Sequence, residues 1–281
     1  MKELVMESYG KINLALDVLY KRKDGYHEIN SVMQQIDLKD TLVFSEHKSG
    51  VIIESNNNEM PLDSNNLIYK TWDKLKDITG INKGIRIKVD KQIPIAAGLA
   101  GGSSNGAVTL KALNILWDLN LSLEELMNIG RTLGADIPFC IMGGTAKAQG
   151  IGEKLSKLKP FVGKHILLGN PGIGISTAYA YSRLDLNNDR IDIDALISNM
   201  EANDLEAVAK DMKNVMEKPI IEDYPMIQEI KDIMIKHGSL GALMSGSGST
   251  VFGLFDDKEK LLFTEKKLKE RNFKAYSCIT I

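Results

Sequence analysis

The sequence predicts an α+β protein of two lobes, and three observations predict it. Period-two apolar alternation and β-branched runs dominate the first 55 residues and return in IRIKVD at 85–90. Helix-period segments follow at 67–78, at 103–116 and from Ser122 onward. After Gly150 the order becomes strand, loop, strand, helix, strand, the pattern of a small α+β layer. A soft boundary falls near 160, giving lobes of 1–160 and 161–281. No Ser/Pro-rich linker marks it, so the halves are expected to pack closely.

In LVMESYGKINLALDVLYK, the residues Ile12, Leu14, Leu16 and Val18 share one face, which gives one long strand or two broken at Gly10. Asp24-Gly25 within KRKDGYHE is a hairpin signal. INSVMQQIDL, TLVFSEH and VIIES read as strands, and NNNEMPLDSNN as a loop. Apolar residues at 67, 68, 72, 75 and 78, with Thr71 on the same face, predict a helix over 67–78. Ser103 to Leu116 is a helix rich in Ala and Leu, and Ser122 with Glu125 forms a capping box for the next. Within LGADIPFCI, Asp136 stands just before a buried-looking strand. HILLGNPG is a buried strand ending in a turn. Short helices follow at 177–184, 194–200 and 204–212. Tyr224 to His237 is an amphipathic helix with Pro225 in its first turn and Gly238 past its end. GALMSG, TVFGLF, a helix at 258–271 and KAYSCITI close the chain.

Composition narrows the function. The 281 residues carry 35 basic and 37 acidic side chains, a net charge of −2, without the basic excess that a nucleic-acid binder needs. No apolar run approaches the roughly 18 residues of a membrane span. MKELVMESYG has acids at Glu3 and Glu7 and no apolar core, so no signal peptide is expected and the protein is read as cytoplasmic. Cys140 and Cys278 lie in apolar stretches and match neither a disulfide framework nor a zinc site; two buried, reduced thiols are expected.

The strongest chemical signal is PIAAGLAGGSSNGA at 94–107. Gly98, Gly101 and Gly102 precede Ser103 and Ser104, and a helix follows at once. Glycines let backbone N–H groups approach an anion, and the helix N-terminus adds unpaired donors and partial positive charge. That is what a triphosphate requires. No G-x-x-x-x-G-K-[ST] motif exists, nor G-x-G-x-x-G after a strand. A rival is a hydrolase. Gly102 to Gly106 fits G-x-S-x-G, with Asp136 and His237 in the order of a triad. However, an elbow joins strand directly to helix, and IRIKVD ends too early.

MSGSGSTVFGLF at 244–255 places Gly246 and Gly248 among serines between two apolar strands. A hairpin explains it, and so does a second anion nest. Lys11 interrupts an apolar strand, and Asp136 adjoins a buried segment. Together they suggest phosphoryl transfer, with a carboxylate taking the hydroxyl proton and an ammonium holding phosphate or alkoxide. Tyr26 and His27, adjacent in a turn, suit stacking and hydrogen bonding to a nucleobase. His47, His165 and His237 show no metal-ligand spacing, and no metal-binding residues are assigned.

Three segments, SYGKINLALDV at 8–18, PIAAGLAGGSSNGA and MSGSGSTVFGLF, resemble the GHMP kinases in the correct order along nearly the whole chain. DGYHEI at 24–29 and GADIPFCIMGGTAKAQGIGE at 134–153 look like one branch of the family. That branch uses ATP to phosphorylate the 2-hydroxyl of a CDP-linked methylerythritol in the non-mevalonate isoprenoid pathway. The resemblance implies an N-terminal α/β lobe with a left-handed βαβ unit, a ferredoxin-like C-terminal lobe and an active site in the cleft between them. It makes Asp136 the catalytic base and Lys11 its cationic partner. Asn13 would contact the polyol, and Tyr26 and His27 the cytosine, with Tyr181 as second stacking wall. Pro94, Ile95, Ala96, Ala97, Gly98, Leu99, Ala100, Gly101, Gly102, Ser103 and Ser104 would cradle ATP. Asn66 and Lys91 fall at the nucleoside contacts, and Gly246 and Ser247 would close over the acceptor. Mg²⁺ is expected to arrive with ATP.

The usual loop of the family reads GLGGGSS, and here Ala100 replaces the middle glycine, so position 100 is expected at negative φ. Gly106 within a helix costs about 1 kcal/mol against Ala and has no explanation in the sequence. The alternatives are another small-molecule kinase of the family and a non-catalytic nucleotide or metabolite sensor. Retention of Lys11 and Asp136 argues against the sensor.

Overall fold

The computed structural model describes residues 3–186 and 190–281. Its strands are β1 (Leu4–Lys21), β2 (His27–His47), β3 (Val51–Ser55), β4 (Gly84–Asp90), β5 (Thr145–Gly150), β6 (Lys154–Lys157), β7 (His165–Asn170), β8 (Lys213–Asn214), β9 (Gly241–Met244), β10 (Val251–Phe255) and β11 (Lys274–Ile279). Its helices are α1 (Leu67–Thr79), α2 (Gly101–Leu116), α3 (Leu123–Arg131), α4 (Ile137–Met142), α5 (Thr177–Ser182), α6 (Ile193–Ala202), α7 (Leu205–Asp211), α8 (Glu217–Asp223), α9 (Met226–Lys236) and α10 (Lys258–Glu270). Among the described residues, no helix is long and apolar enough to cross a membrane.

Contacts group the chain into two units that interleave in sequence. The first holds residues 1–10, 38–95 and 100–143; the second holds 11–37, 96–99 and 144–281. The boundary expected near 160 is a single cut along the chain. The grouping differs because β1 and β2 each contribute one part to either unit.

In the first unit, β2 pairs antiparallel with β4, Thr41 opposite Asp90 through His47 opposite Gly84. Parallel β3 and β4, joined through α1, make a βαβ unit. Asn66 caps α1 by accepting the Ile68 N–H at 2.9 Å. Gly80, at φ 71°, ends it with its own N–H on the Lys76 carbonyl. Leu42, Phe44, Ile85 and Ile87 of the sheet pack on Ile68, Trp72 and Leu75 of α1 and on Leu110 and Leu113 of α2. Each such fully buried side chain contributes about 1.5–3 kcal/mol. Gly106 has no steric explanation in the structure: a Cβ at this position would stand 3.4 Å from Leu67 Cβ and Thr71 Oγ1, ordinary van der Waals contact that an alanine would make. IPFCIM forms α4 and not the expected strand: a short apolar run fits either state, and Pro138 suits a first helical turn.

In the second unit, β11, β7, β10 and β9 form an antiparallel sheet in that order. With α9 before β9 and α10 before β11, this is the ferredoxin-like split βαβ topology. Ile227, Ile230 and Met234 of α9 and Leu261 and Leu268 of α10 bury against Leu167, Val251 and Phe255. Leu16, Val18 and Ile29 join the same cluster. The N-terminal part of β2 pairs with β5, which pairs with β6, and β1 runs parallel to β8 at Ala15–Leu16.

Candidate active site

The glycine-rich segment leaves β4 and turns into α2. Pro94 and Ile95 are half-buried at its entry. Positive φ then falls on alternate residues: Ala96 at 50°, Gly98 at 77° and Ala100 at 56°. Ala97 and Leu99 between them stay outside that region and are buried. Alternation of this kind turns successive N–H groups to one side and makes an anion nest. The negative φ expected at Ala100 is overturned. The helix begins at Gly101, two residues earlier than the sequence predicts, so the left-handed turn into it falls on position 100. Ala100 gives α2 no side-chain cap, which leaves the N-terminal donors of its first turn to an incoming anion. Gly102 is exposed, Ser103 half-buried and Ser104 buried. These features fit a polyphosphate.

The second glycine-rich segment meets the first at Gly98. Ser245 Oγ donates to the Gly98 carbonyl at 3.0 Å, and the Thr250 N–H to the Ala97 carbonyl at 3.3 Å. A Cβ on Gly98 would stand 2.1 Å from the Ser245 carbonyl oxygen, so only glycine fits. Gly246, at φ 56°, lies less tightly packed: its Cβ would be 3.2 Å from Gly98 O and 3.5 Å from Asn13 Oδ1. Asn214 Nδ2 donates to the carbonyls of Met244 and Gly246, each at 2.8 Å. Ser247 Oγ is 3.4 Å from Thr177 Oγ1.

Lys11 and Asn13 share one face of β1, as their spacing requires. Lys11 Nζ donates to Asn13 Oδ1 at 2.7 Å, Asn13 Nδ2 to Ser31 Oγ at 2.9 Å, and Ser31 Oγ to the Ala15 carbonyl at 2.6 Å. The Lys11 N–H donates to the Leu99 carbonyl at 3.1 Å, which ties β1 to the glycine-rich segment. Both side chains are buried, which fixes the ammonium in place.

Asp136 is half-buried at the N-cap position of α4, and its side chain makes no cap bond. Asn66 uses its side chain as the α1 cap and on the Pro61 carbonyl at 2.5 Å. Lys91 is buried and donates to Asp40 and to the Ile93 carbonyl. Desolvation pushes its pKa down, against the pull of Asp40.

The DGYH turn is built on Gly25 at φ 87° and on Asp24, whose Oδ1 accepts the Tyr26 N–H at 3.1 Å. Tyr26 is exposed. His27 stacks on Tyr181, with ring centroids 4.6 Å apart and planes 16° from parallel. Tyr181 therefore meets His27 itself, and no slot exists between the two rings. Burial, helped by the charge of Lys21, lowers the His27 pKa. Lys11, Asn13, Tyr26, His27, Ala96 to Leu99, Tyr181, Gly246 and Ser247 fall in the second unit. Asn66, Lys91, Pro94, Ile95, Ala100 to Ser104 and Asp136 fall in the first.

Two family models match: GHMP kinases N terminal domain over residues 66–144, and GHMP kinases C terminal over 196–274. A "4-diphosphocytidyl-2-C-methyl-D-erythritol kinase" of Caldicellulosiruptor bescii is 44% identical over 267 residues, 94% of this chain and 93% of that protein. The protein of the same name from Alkaliphilus oremlandii is 47% identical over 264 residues, 92% of this chain and 90% of its own. The chain belongs to the GHMP kinase family. A crystal structure of 4-(cytidine 5'-diphospho)-2C-methyl-D-erythritol kinase has a TM-score of 0.84 at 29% identity, covering 99% of both chains. As a GHMP kinase, the protein has the two-lobed fold of the family and uses ATP.

Sequence reasoning missed Asp40, Ser31, Asn105 and Asn214, which hold these GHMP kinase segments in place. One signal was present: Asp40 lies between Leu38 and Leu42 in a strand, as awkward a place for charge as that of Lys11. The nucleophile elbow fails on structure. Ser104 is buried in the first turn of α2, and β4 ends at Asp90.

Proposed function

We propose that the chain is an ATP-dependent kinase for the 2-hydroxyl of 4-diphosphocytidyl-2-C-methyl-D-erythritol, the compound in the names of its relatives. The observation that carries the acceptor is the DGYH turn, with His27 flat against Tyr181 and Tyr26 exposed beside it. Aromatic faces and a neutral imidazole suit a cytosine, which offers both a donor and an acceptor edge. Sugar and mevalonate kinases of this fold have no base to bind.

In this reading, the nest at 96–100 and the first turn of α2 receive the ATP phosphates through backbone N–H groups. Mg²⁺ bound with ATP would neutralise charge on its phosphates. Among the described residues, no group of three or more His, Cys, Asp and Glu side chains is placed to hold a metal by itself. Asp136 takes the proton of the acceptor hydroxyl as the new P–O bond forms and the bond to ADP breaks. Lys11, fixed by Asn13, supplies positive charge to the transferring group. Asn13 also faces the polyol, and Gly246 and Ser247 close over the acceptor phosphates. Asn66 borders the nucleoside side of the loop.

The test is phosphorylation of 4-diphosphocytidyl-2-C-methyl-D-erythritol beside homoserine, mevalonate and galactose, with Asp136→Ala as control. The expected result is turnover of the cytidine compound alone, reduced by about 10² to 10⁴-fold in the variant, the range for a lost general base. Turnover of another acceptor, or undiminished turnover in Asp136→Ala, removes the corresponding part of the proposal.

A further inference from the structure

Asp40 lies within β2 and is fully buried. A buried carboxylate persists only when its oxygens are paired. Oδ1 accepts the backbone N–H groups of Gln92 and Ile93, each at 2.8 Å. Oδ2 accepts Lys91 Nζ and Asn105 Nδ2, also at 2.8 Å each. Lys91 Nζ reaches the Ile93 carbonyl as well, at 2.7 Å, and Asn105 Nδ2 continues to Ser8 Oγ at 2.9 Å. Lys91 to Ile93 immediately precede the glycine-rich segment, and Asn105 lies at the start of the helix that follows it. One carboxylate therefore grips the chain before and after 94–104.

Gly101 makes the grip felt inside the segment. A Cβ there would stand 3.0 Å from Lys91 Nζ and 2.9 Å from Ile93 Cγ2, so the ammonium packs against the backbone that begins α2. Moving Lys91 moves the donors of that first turn. We propose that Asp40 is the positioning residue of the glycine-rich segment, holding its N–H groups at the spacing that ATP phosphates require. The proposal rests on the kinase reading above, and it reassigns Lys91 from a nucleoside contact to a strut of the loop.

Asp40→Asn keeps the shape of the side chain and removes the charge that Lys91 and Asn105 share. Asn105→Ala removes the tie after the loop and leaves the ion pair intact. Leu75→Ala, in the core of the same unit, controls for lost stability. ATP affinity is measured by calorimetry without acceptor, and KM is measured for ATP and for the cytidine acceptor. Displacements of about 1 Å can cost about 10²-fold. ATP affinity is therefore expected to weaken by about 10- to 100-fold in Asp40→Asn and by several-fold in Asn105→Ala. KM for the acceptor stays unchanged, and Leu75→Ala keeps wild-type ATP affinity. Wild-type ATP affinity in both polar variants would overturn the proposal, as would an equal loss in Leu75→Ala. If Asp40→Asn does not fold, Asn105→Ala decides. A wild-type chain that binds ATP but phosphorylates no cytidine acceptor defeats the acceptor reading alone, and the affinity comparison still judges Asp40. A chain that binds no ATP overturns both.

Discussion

His27 begins β2 with its ring against Tyr181, and its depressed pKa keeps the imidazole neutral at pH 7. One ring nitrogen then donates and the other accepts, the pattern that a cytosine edge needs. The folded pKa lies below the ordinary value of 6.5, so no penalty exists above that pH. As pH falls beneath it, the unfolded imidazole binds the proton more readily and folding weakens; base binding weakens lower still, as pH falls through the depressed folded pKa. The expected profile of kcat/KM for the cytidine acceptor is flat down to pH 6.5 and declines only as pH falls through the depressed pKa of the folded imidazole. His27→Gln should lower the plateau and abolish that decline. A decline that survives in the variant would assign it to another group. Other single residues stayed hidden in the sequence for a physical reason. Asp40 and Asn105 work through partners distant in the chain, and Lys-Asp within LKDTL reads locally as a break between strands. In the structure β2 runs straight through it, because the partners of Asp40 absorb the cost of the buried charge.

At the scale of the element, local signals were legible wherever they were complete within a few residues. The apolar spacing over 67–78 marks α1, and Ser122 and Glu125 form the capping box of α3. Signals that depend on packing were not. IPFCIM became a helix, and TAKAQG became β5 only because β2 and β6 flank it. The start of α2 belongs to the same class. Two glycines that read as loop continue into its first turn, and the left-handed turn is left to Ala100 at φ 56°. A non-glycine residue there costs about 1–3 kcal/mol, and a β-branched one more. Ala100→Gly relieves that strain but frees the unfolded chain by a similar amount, so its stability is expected to stay within about 1 kcal/mol of wild type. Ala100→Val should lose about 2 kcal/mol or more and raise KM for ATP, as read from urea midpoints and initial rates. A neutral Ala100→Val would mean that position 100 lies outside the left-handed region in the free protein.

The whole chain poses a question that its sequence order conceals. Residues 161–281 look separable, because they carry a complete ferredoxin-like order of strands and helices. Their core is not complete. Leu16, Val18 and Ile29 belong to the same buried cluster as Leu167, Met216 and Val251, and β8 pairs with β1 at Leu16. Removing one large buried apolar side chain costs about 2–5 kcal/mol, and a whole domain is stable by only about 5–15 kcal/mol. Losing three such side chains, together with the strand that pairs β8, exceeds what the remaining contacts can spare. A fragment of 161–281 is therefore expected to show helical far-ultraviolet dichroism without a cooperative urea transition or a structured near-ultraviolet spectrum. Supplying residues 1–37 on a separate peptide restores the missing cluster only if β1 and β2 pair as they do in the intact chain. A sharp transition in the fragment alone would make the N-terminal members of the cluster dispensable and support a boundary near 160.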